Sequence, residues 1–330
     1  MCSNSGGCES LQRIVPDEDK TKKCVSCKQL SEFVLRKVNG YCRPCYLEAC
    51  HHKFRSTVGK TKLMKPGDRV LVWQNSSLGA AAMRHLLEVL EKENETALKK
   101  KLQFEFKFAL VEGYDGTIFN DFKIAERWRR ISSDAAEPPQ RNSTLKLFNE
   151  SLVSQKAVIE FARKHNFSKV FTCDTGSDLA HIMLTSISLG RGGQLPDWTG
   201  VSLERDGVVL LRPLREFTEE ELDRYLKLYS IEVPTQKRSP SSIQRLSQDF
   251  VDGLQADFPS TVPTIWRTAD KIAADSKSPL SVCDHCGCFN PTDVVGAMQA
   301  LEISAELSTT LKLEKQIPNR CHACRQISID

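Results

Sequence analysis

The sequence predicts an α/β protein with a doubly wound, mostly parallel sheet that is flanked by a zinc module at each end of the chain. Short β-branched apolar runs alternate with amphipathic helical segments between residues 66 and 232. This alternation is typical of a parallel sheet that carries helices on both faces. Cysteine pairs with the spacing Cys-x-x-Cys lie before and after that region, and such pairs are typical of zinc sites.

Length and composition limit the class of protein. The chain has 330 residues, of which 40% are hydrophobic, and this is enough to bury a sizeable core. No run of about eighteen apolar residues is present, so we expect no membrane span, and we expect no secretory signal. We therefore predict a cytoplasmic protein, in which the 13 cysteines more often bind metal than form disulfides.

Positive charge is concentrated in the N-terminal part. Residues 1–65 contain 13 Lys and Arg against 6 Asp and Glu, a net charge of +7. The remaining residues contain 33 against 36, a net charge of −3. This asymmetry favours a polyanionic partner. A solvated basic face explains it equally well, so both interpretations stay open.

The N-terminal part divides into a polar tail and a cysteine module. Residues 1–23 are polar and are predicted to be a flexible tail. Residues 24–65 contain the knuckles Cys24-Val25-Ser26-Cys27 and Cys42-Arg43-Pro44-Cys45. Two such knuckles close a tetrahedron of thiolates around one zinc ion, and four thiolates leave no open coordination position. The predicted role of this zinc is therefore structural.

The segment between these knuckles, Leu30 to Tyr41, predicts a β-hairpin like that of a zinc ribbon. Its turn is predicted at Asn39-Gly40, a dipeptide that is typical of tight hairpin turns. The residues just after the module, Cys50, His51 and His52, are alternative ligands. They rank below the four cysteines because they would break the symmetric spacing of the two knuckles.

A basic stretch connects this module to the α/β domain. Residues 53–65 contain five cations and no acid: Lys53, Arg55, Lys60, Lys62 and Lys65. Such a stretch can contact a phosphate backbone, which positions a nucleic acid without reading its sequence. An exposed linker is an equally good interpretation.

A strand, a small-residue loop and a helix follow one another between Asp68 and Leu90. Asp68 to Trp73 includes a β-branched apolar run, and the apolar residues from Gly79 to Leu90 recur with helical spacing. In α/β proteins this layout holds a phosphate at the helix N-terminus. The candidate phosphate-binding residues of this loop are Asn75, Ser76, Ser77 and Gly79.

The rest of the α/β domain repeats this alternation. Strands are predicted at residues 104–111, 169–173 and 208–211, helices at 119–131, 152–165 and 179–189, and a loop at 132–143. Thr218 and Glu221 form a capping box that begins a further helix. Ligands of such sheets bind beyond the carboxyl ends of the strands. A second candidate loop lies there, with Thr175, Gly176 and Asp178.

The C-terminal part contains a linker, two helices and the second cysteine module. Residues 233–277 comprise a proline-broken linker and helices predicted at 242–256 and 265–274. Residues 278–330 contain the pairs Cys283/Cys286 and Cys321/Cys324, which predict a second four-cysteine zinc site. A helix is predicted between them, at Asp293–Glu314. Cys288 is an alternative ligand, and pairing of knuckles between the two ends of the chain also stays open.

The order of these modules carries a family resemblance. A double-knuckle module runs through His52-Lys53-Phe54-Arg55 into an α/β domain, and a second knuckle module follows it. The strand end Arg212-Pro213-Leu214-Arg215, and Lys169-Val170-Phe171 leading to Thr175-Gly176-Ser177-Asp178, add to this pattern. From Cys24 to Arg325 the chain resembles the cytoplasmic tRNA 2-thiolation protein 2 family.

This resemblance implies a fold and a function. The implied fold is the adenine-nucleotide α-hydrolase type with a pyrophosphatase loop. The implied function is to form a heterodimer with a catalytic thiouridylase subunit. That complex adds sulfur to C2 of the wobble uridine in cytosolic tRNA for Lys, Glu and Gln, in the formation of 5-methoxycarbonylmethyl-2-thiouridine. The implied sulfur donor is a thiocarboxylated ubiquitin-related modifier, and ATP activates the uridine.

The residues of the first loop argue against catalysis by this chain alone. The active form of the family loop reads Ser-Gly-Gly-x-Asp-Ser, and Asn75 to Ala80 stand in its place. Ser76 and Ser77 replace the two glycines that let the backbone approach the phosphates. Gly79 replaces the acid, so no carboxylate remains there for Mg²⁺, and whether ATP still binds stays open.

Sulfur transfer also lacks a second thiol in the core. Catalytic thiouridylases of this type use core cysteines to carry sulfur, and a persulfide relay needs two of them. Between Cys50 and Cys283 the chain has Cys173 alone. The sequence therefore predicts a non-catalytic subunit. The alternatives are a self-sufficient ATP-dependent tRNA sulfurtransferase and a zinc-ribbon nucleic-acid-binding protein without a tRNA role.

Overall fold

The computed structural model describes residues 22–96, 103–111, 128–131, 142–233, 241–274, 281–290, 321, 323 and 324. The predicted tail up to residue 21 and the predicted helix at Asp293–Glu314 lie outside the described residues. The same holds for most of the predicted loop at 132–143.

A six-stranded sheet forms the centre of the α/β part. In chain order the strands of the protein are β1 (Phe33–Leu35), β2 (Asn39–Tyr41), β3 (Asp68–Gln74), β4 (Phe104–Val111), β5 (Trp128–Ile131), β6 (Lys169–Phe171), β7 (Ser202–Arg205), β8 (Val208–Leu211), β9 (Ser281–Val282) and β10 (Phe289–Asn290). The large sheet has the order β5-β4-β3-β6-β8-β7. Its neighbours are parallel except for β7, which runs antiparallel to β8. The predicted fold class is confirmed.

Helices occupy the connections between these strands. They are α1 (Arg43–Lys60), α2 (Leu78–Thr96), α3 (Ser143–Lys164), α4 (Gly176–Ser188), α5 (Leu195–Thr199), α6 (Glu219–Leu228), α7 (Ile243–Asp257) and α8 (Thr261–Ala274). The predicted capping box is confirmed at the start of α6, where Thr218 and Glu221 bond each other's backbone N–H. Asn142 begins α3 nine residues earlier than predicted, because its side chain accepts from Thr144 N at 2.9 Å.

The centre of the large sheet is buried on both faces. Three successive residues of β3, namely Val70, Leu71 and Val72, are all 0% exposed. Since neighbouring side chains of a strand point to opposite faces, neither face of β3 is open to water. Leu71 packs in one cluster with Val158 and Ala162 of α3, which covers one of these faces.

Two local predictions within the α/β part were wrong. Residues 119–131 were predicted to be helical, but Trp128–Ile131 form β5, which pairs with Phe108–Val111; residues 119–127 lie outside the described residues. Pairing with an existing strand overrode the local propensity. The strand β7 was not predicted, although Asp206-Gly207, both with positive φ, mark the β7–β8 hairpin turn.

One prediction near the N-terminus was also wrong, and one open alternative does not hold over part of its length. Asn39-Gly40 lie within β2, and the residues with positive φ at the hairpin turn are Arg36 and Lys37. The register of the strands, which pairs Leu35 with Asn39, moved the turn toward the N-terminus. The basic stretch is not a linker over its first half, because α1 continues to Lys60.

The chain divides into two compact units, one that ends at Glu48 and one that begins at Ala49. No helix within the described residues is long and apolar enough to cross a bilayer. The domain boundaries drawn from the sequence stay predictions.

Candidate functional site

The N-terminal cysteine group is built on two turns of the chain. The sulfur atoms of Cys24, Cys27, Cys42 and Cys45 all lie within 4.8 Å of one another. The first knuckle is closed by Lys28, with φ of 64°, whose N–H donates to the Cys24 carbonyl at 3.0 Å. The second knuckle leads into the first turn of α1, where Tyr46 N donates to the Cys42 carbonyl at 3.1 Å.

Backbone hydrogen bonds favour the thiolate form of Cys24. Burial raises the pKa of Cys24, but the backbone N–H groups of Cys27, Cys42 and Ser26 outweigh burial and lower the pKa to about 6. Metals bind the thiolate rather than the thiol. These amide donors therefore favour the form of Cys24 that a metal would bind.

The C-terminal cysteine group is more deeply buried. Cys283, Cys286, Cys321 and Cys324 are at most 2% exposed, and their sulfur atoms also lie within 4.8 Å of one another. The knuckle at Cys283 is formed by β9, β10 and Gly287, whose N–H donates to the Cys283 carbonyl at 2.8 Å. Gly287 has φ of 66°, which favours glycine.

This group packs against the α/β domain. The buried cysteines form one cluster with Leu152 and Phe148 of α3 and with Trp198 of α5. Lys156 of α3 donates to the His285 carbonyl at 2.7 Å. The C-terminal metal-ligand set therefore rests on a helix that also covers the central sheet.

The sulfur spacing fits a single tetrahedral ion at both groups. Four thiolates about 2.3 Å from one zinc lie about 3.8 Å from each other. The Cys27 and Cys42 sulfurs are 3.6 Å apart, and the Cys286 and Cys321 sulfurs are 3.8 Å apart. Each set of four could therefore hold one metal ion.

The alternative ligands are not members of either group of four cysteines. His51 Nε2 contacts Tyr225 Oη at 3.3 Å, and His51 Nδ1 is 3.6 Å from Glu93 Oε1. Cys50 is buried and His52 is exposed. Cys288 is 0% exposed and lies beside the C-terminal group, with its sulfur 3.7 Å from the Cys286 carbonyl oxygen and 3.8 Å from Arg205 Nη2.

The first candidate loop is closed by its own hydrogen bonds. Asn75 Oδ1 accepts from Ser77 N at 3.0 Å, and Ser77 Oγ accepts from Ala80 N at 3.1 Å. Ser77 thus caps α2. A phosphate held at this helix would need the same free N–H groups, so the cap competes with a phosphate.

Gly79, in the first turn of α2, lies close to the chain that follows β6. A Cβ placed on Gly79 would collide with the Cys173 carbonyl oxygen at the end of β6. Because that oxygen belongs to the backbone, it cannot move aside as a flexible side chain would. The position where an active loop has its acid therefore has no room for any side chain.

The second candidate loop is the N-cap of α4. Asp178 Oδ2 accepts from the backbone N–H and the hydroxyl of Thr175, each at 2.8 Å, and Thr175 Oγ1 accepts from Asp178 N. A Cβ on Gly176 would come within 2.6 Å of the Arg215 carbonyl oxygen. Thr175, Gly176 and Asp178 therefore hold the α4 N-terminus against the chain after β8.

Cys173 is a protonated thiol in this structure. It is 4% exposed, its sulfur donates to the Trp73 carbonyl at 3.1 Å, and it accepts from Gln74 Nε2 at 3.3 Å. Burial, followed by the charges of Asp174 and Asp178, raises the pKa of Cys173 well above its usual value. A protonated thiol is a poor sulfur carrier, since the thiolate is the nucleophile.

The predicted nucleic-acid residues fall into two groups. Lys53 pairs with Glu221 at 2.8 Å, Arg55 with Glu93 at 2.6 Å, and Lys60 with Glu216 at 3.5 Å. Lys62 and Lys65, which follow α1, are exposed. The contact of the five residues with a nucleic acid stays a prediction.

Two arginines were missed by the sequence analysis. Arg191 and Arg205 lie beside the C-terminal cysteines, more than 80 residues away along the chain from the ligands that they approach. The sequence contains no spacing that links them to the knuckles. Arg191 is only 2% exposed, and this burial follows from the fold rather than from any sequence pattern.

Known proteins with similar sequences share one description. The family model for cytoplasmic tRNA 2-thiolation protein 2 matches residues 242–326. Proteins of that name from Danio rerio and Drosophila melanogaster are each 28% identical to this chain, and the alignments cover 92% and 88% of this chain and 79% and 85% of the relative. The Bos taurus protein is 27% identical over 87% of this chain and 75% of its own. The predicted resemblance to this family is confirmed.

A solved structure shares the fold. The U34-tRNA thiolase NcsA from Methanococcus maripaludis, determined with its 4Fe–4S cluster, superposes with a TM-score of 0.63 at 15% identity. The match covers 81% of this chain and 93% of that protein. At this identity the likeness establishes the fold, which agrees with the predicted adenine-nucleotide α-hydrolase type.

Proposed function

We propose that this chain is the non-catalytic subunit of a cytoplasmic tRNA wobble-uridine 2-thiolation complex. A role in tRNA thiolation is supported by the family match and by relatives that carry this description over most of the chain. The fold shared with a U34-tRNA thiolase is consistent with descent from a catalytic subunit. In this proposal a catalytic thiouridylase of the same fold class is the partner, and the two form a heterodimer.

The observation that carries the non-catalytic assignment is the environment of Gly79. An aspartate at this position would collide with the Cys173 backbone, so the loop cannot regain a Mg²⁺ ligand by one substitution. The Ser77 hydroxyl occupies an N–H group of α2 that a phosphate would otherwise use. The surrounding structure therefore leaves no space for the acid that an active loop has at this position.

The remaining parts of the proposal concern the partners. Transfer RNA is the polyanion expected to contact the basic N-terminal part, where Lys62 and Lys65 are exposed after α1. The sulfur donor, a thiocarboxylated ubiquitin-related modifier, acts on the complex rather than on this chain, whose buried Cys173 is protonated. The proposed domain boundaries are those drawn from the sequence.

We also propose that each cysteine group holds one structural zinc. The sulfur spacings of 3.6 and 3.8 Å match one tetrahedral ion. A 4Fe–4S cluster such as that of the archaeal thiolase binds each thiolate through a different iron, so its ligand sulfurs lie farther apart. With four thiolates each zinc lacks an open position and supplies stability rather than chemistry.

Deletion of the gene tests the proposed function. Mass spectrometry of tRNA nucleosides should show loss of the 2-thio group from wobble uridine, and the wild-type gene should restore it. A gene with Ser77→Ala, which changes only the cap, should restore it equally. Unchanged thiolation after deletion would overturn the proposal and favour a nucleic-acid-binding protein with no role in tRNA modification.

A further inference from the structure

Two arginines, the buried Arg191 and the partly buried Arg205, approach the C-terminal cysteine group from opposite ends of the α5 segment. Arg191 precedes α5 and Arg205 ends β7. Each has a guanidinium nitrogen within 3.8 Å of a cysteine sulfur. A guanidinium carries a permanent charge and can only donate hydrogen bonds. Their neighbours therefore decide whether these charges are tolerated in the interior.

Arg191 lacks partners for most of its hydrogen-bonding groups. Its Nη1 is 3.4 Å from Gln194 Oε1 and 3.6 Å from Cys324 Sγ. Its Nε and Nη2 atoms are buried and have no hydrogen-bond partner in the described part of the chain. The guanidinium also lies 3.8 Å from the centre of the Phe148 ring. A charge that is 2% exposed with this little compensation is expensive to bury.

Arg205 lies beside the same group, where it contacts Cys288, which is not one of the four ligands, and the backbone of the ligand Cys286. Its Nη2 is 3.8 Å from Cys288 Sγ, and its Nη1 is 3.5 Å from the Cys286 carbonyl oxygen and 3.2 Å from Gln155 Oε1. Asp197 lies 3.8 Å away and supplies a partial counter-charge. Arg205 is therefore better compensated than Arg191 by its own surroundings.

A loaded metal site would supply the missing negative charge. One divalent ion with four thiolates has a net charge of −2, and two guanidinium groups have a charge of +2. N–H groups close to metal-bound sulfur fix the ligands and tune the affinity of the site. A charged Cys324 would accept a charge-assisted hydrogen bond from Arg191 and would supply the counter-charge that this under-bonded arginine lacks.

We propose that Arg191 and Arg205 neutralise the thiolate charge of the C-terminal metal site, with Arg191 dependent on the metal for its stability in the core. The inference rests on the proposed metal at Cys283, Cys286, Cys321 and Cys324. It makes this metal part of the packing of α3, α5 and the β7 edge rather than of a separate module. Loss of the metal then destabilises the α/β domain through Arg191.

The test uses the full-length chain with Cys24→Ser and Cys27→Ser, so that the C-terminal group is the zinc site that remains. In this background Arg191→Met, Arg191→Lys and Arg205→Met are compared with Arg163→Met, which changes an exposed arginine of α3. Zinc affinity is measured by competition with a chromophoric chelator. The midpoint of thermal unfolding is measured with zinc and after its removal, and circular dichroism checks folding.

We expect Arg191→Met to weaken zinc binding by about 10–100-fold and Arg205→Met by less. Arg191→Lys should retain most of the affinity, and Arg163→Met should leave it unchanged. Arg191→Met should lower the unfolding midpoint of the zinc-loaded chain but raise that of the metal-free chain, because it then removes an uncompensated buried charge. This change of sign separates charge neutralisation from a role in packing alone.

Two results would overturn the inference in distinguishable ways. If the unsubstituted background chain binds no zinc, the proposed metal site itself is wrong, and the inference fails with it. If that chain binds zinc but Arg191→Met has unchanged affinity and lowers both unfolding midpoints equally, Arg191 serves packing alone. If Arg191→Met does not fold, loss of zinc affinity in Arg191→Gln, compared with Arg191→Lys, decides the question in the same terms.

Discussion

Substitutions at single positions make the first candidate loop, Asn75 to Ala80, unlike an active pyrophosphatase loop. The sequence alone indicated that the glycines and the acid were missing from Asn75 to Ala80. It could not indicate why Gly79 is a glycine, because the carbonyl that faces it belongs to Cys173, 94 residues away along the chain. That constraint is tertiary, and no local pattern contains it.

Gly79→Ala should therefore destabilise the protein by about 2–4 kcal/mol, since the new methyl group meets backbone that cannot yield cheaply. The matched control is Gly253→Ala in α7, where an added Cβ meets nothing within 4 Å. That substitution should stabilise the protein by about 0.5–1 kcal/mol. Urea unfolding measures both, and equal effects of the two substitutions would contradict the close approach at Gly79.

Glu219 makes stability depend on pH. Burial, followed by the nearby Asp178 and Asp252, raises the pKa of Glu219 from 4.5 to about 7. The folded state then binds more protons than the unfolded state between these values, so this contribution to stability falls as pH rises from about 4.5 to about 7.

Glu219→Gln should remove this loss, because glutamine stays neutral. Relative to the parent, the variant should gain on the order of 1 kcal/mol at pH 8 and much less at pH 4.5. Glu220→Gln, at the exposed neighbouring position of α6, should not change the pH profile. Urea unfolding at several pH values is the measurement, and a gain that is the same at every pH would refute the assignment to Glu219.

Helices and strands were predicted well where their signals are local. The capping box of α6 and the continuous apolar run of β8 are read directly from neighbouring residues. The strand β5 was missed because pairing with β4, which no pattern within residues 128–131 indicates, makes it a strand. The first half of α3 was missed because its start depends on the cap at Asn142.

Ser77 caps α2, and its contribution to the stability of this helix can be measured by substitution. Ser77→Ala removes the hydroxyl that accepts from Ala80 N, and it should cost about 1 kcal/mol of stability. Ser77→Gly should cost only a few tenths. Thermal unfolding compares the two, and tRNA thiolation by the complex should be unchanged in both. Loss of thiolation without loss of stability would mean that the hydroxyl binds a substrate rather than capping the helix.

At the scale of the whole molecule, two clusters of four cysteines are the features that spacing predicts best. The sequence predicted all eight cysteines as ligands from their spacing alone, and the structure brings each set of four together. The surroundings of the C-terminal set could not be predicted, since Leu152, Trp198 and Arg191 come from three separate segments.

Metal analysis of the purified chain should find about two zinc ions per chain. Replacement of Cys24 and Cys27 by serine should leave about one, and so should replacement of Cys283 and Cys286. Inductively coupled plasma mass spectrometry measures zinc and iron together. Iron in place of zinc would contradict the single-ion interpretation of the sulfur spacing.

We propose above all that this chain supports thiolation without carrying it out. Reconstitution with purified tRNA, ATP, Mg²⁺ and the thiocarboxylated sulfur donor tests this claim most directly, with 2-thiouridine and released pyrophosphate as readouts. We predict neither product from this chain alone, and both when a catalytic thiouridylase subunit is added. Formation of 2-thiouridine by the single chain, abolished by substitution of Asp178, would contradict the claim and make the chain an enzyme in its own right.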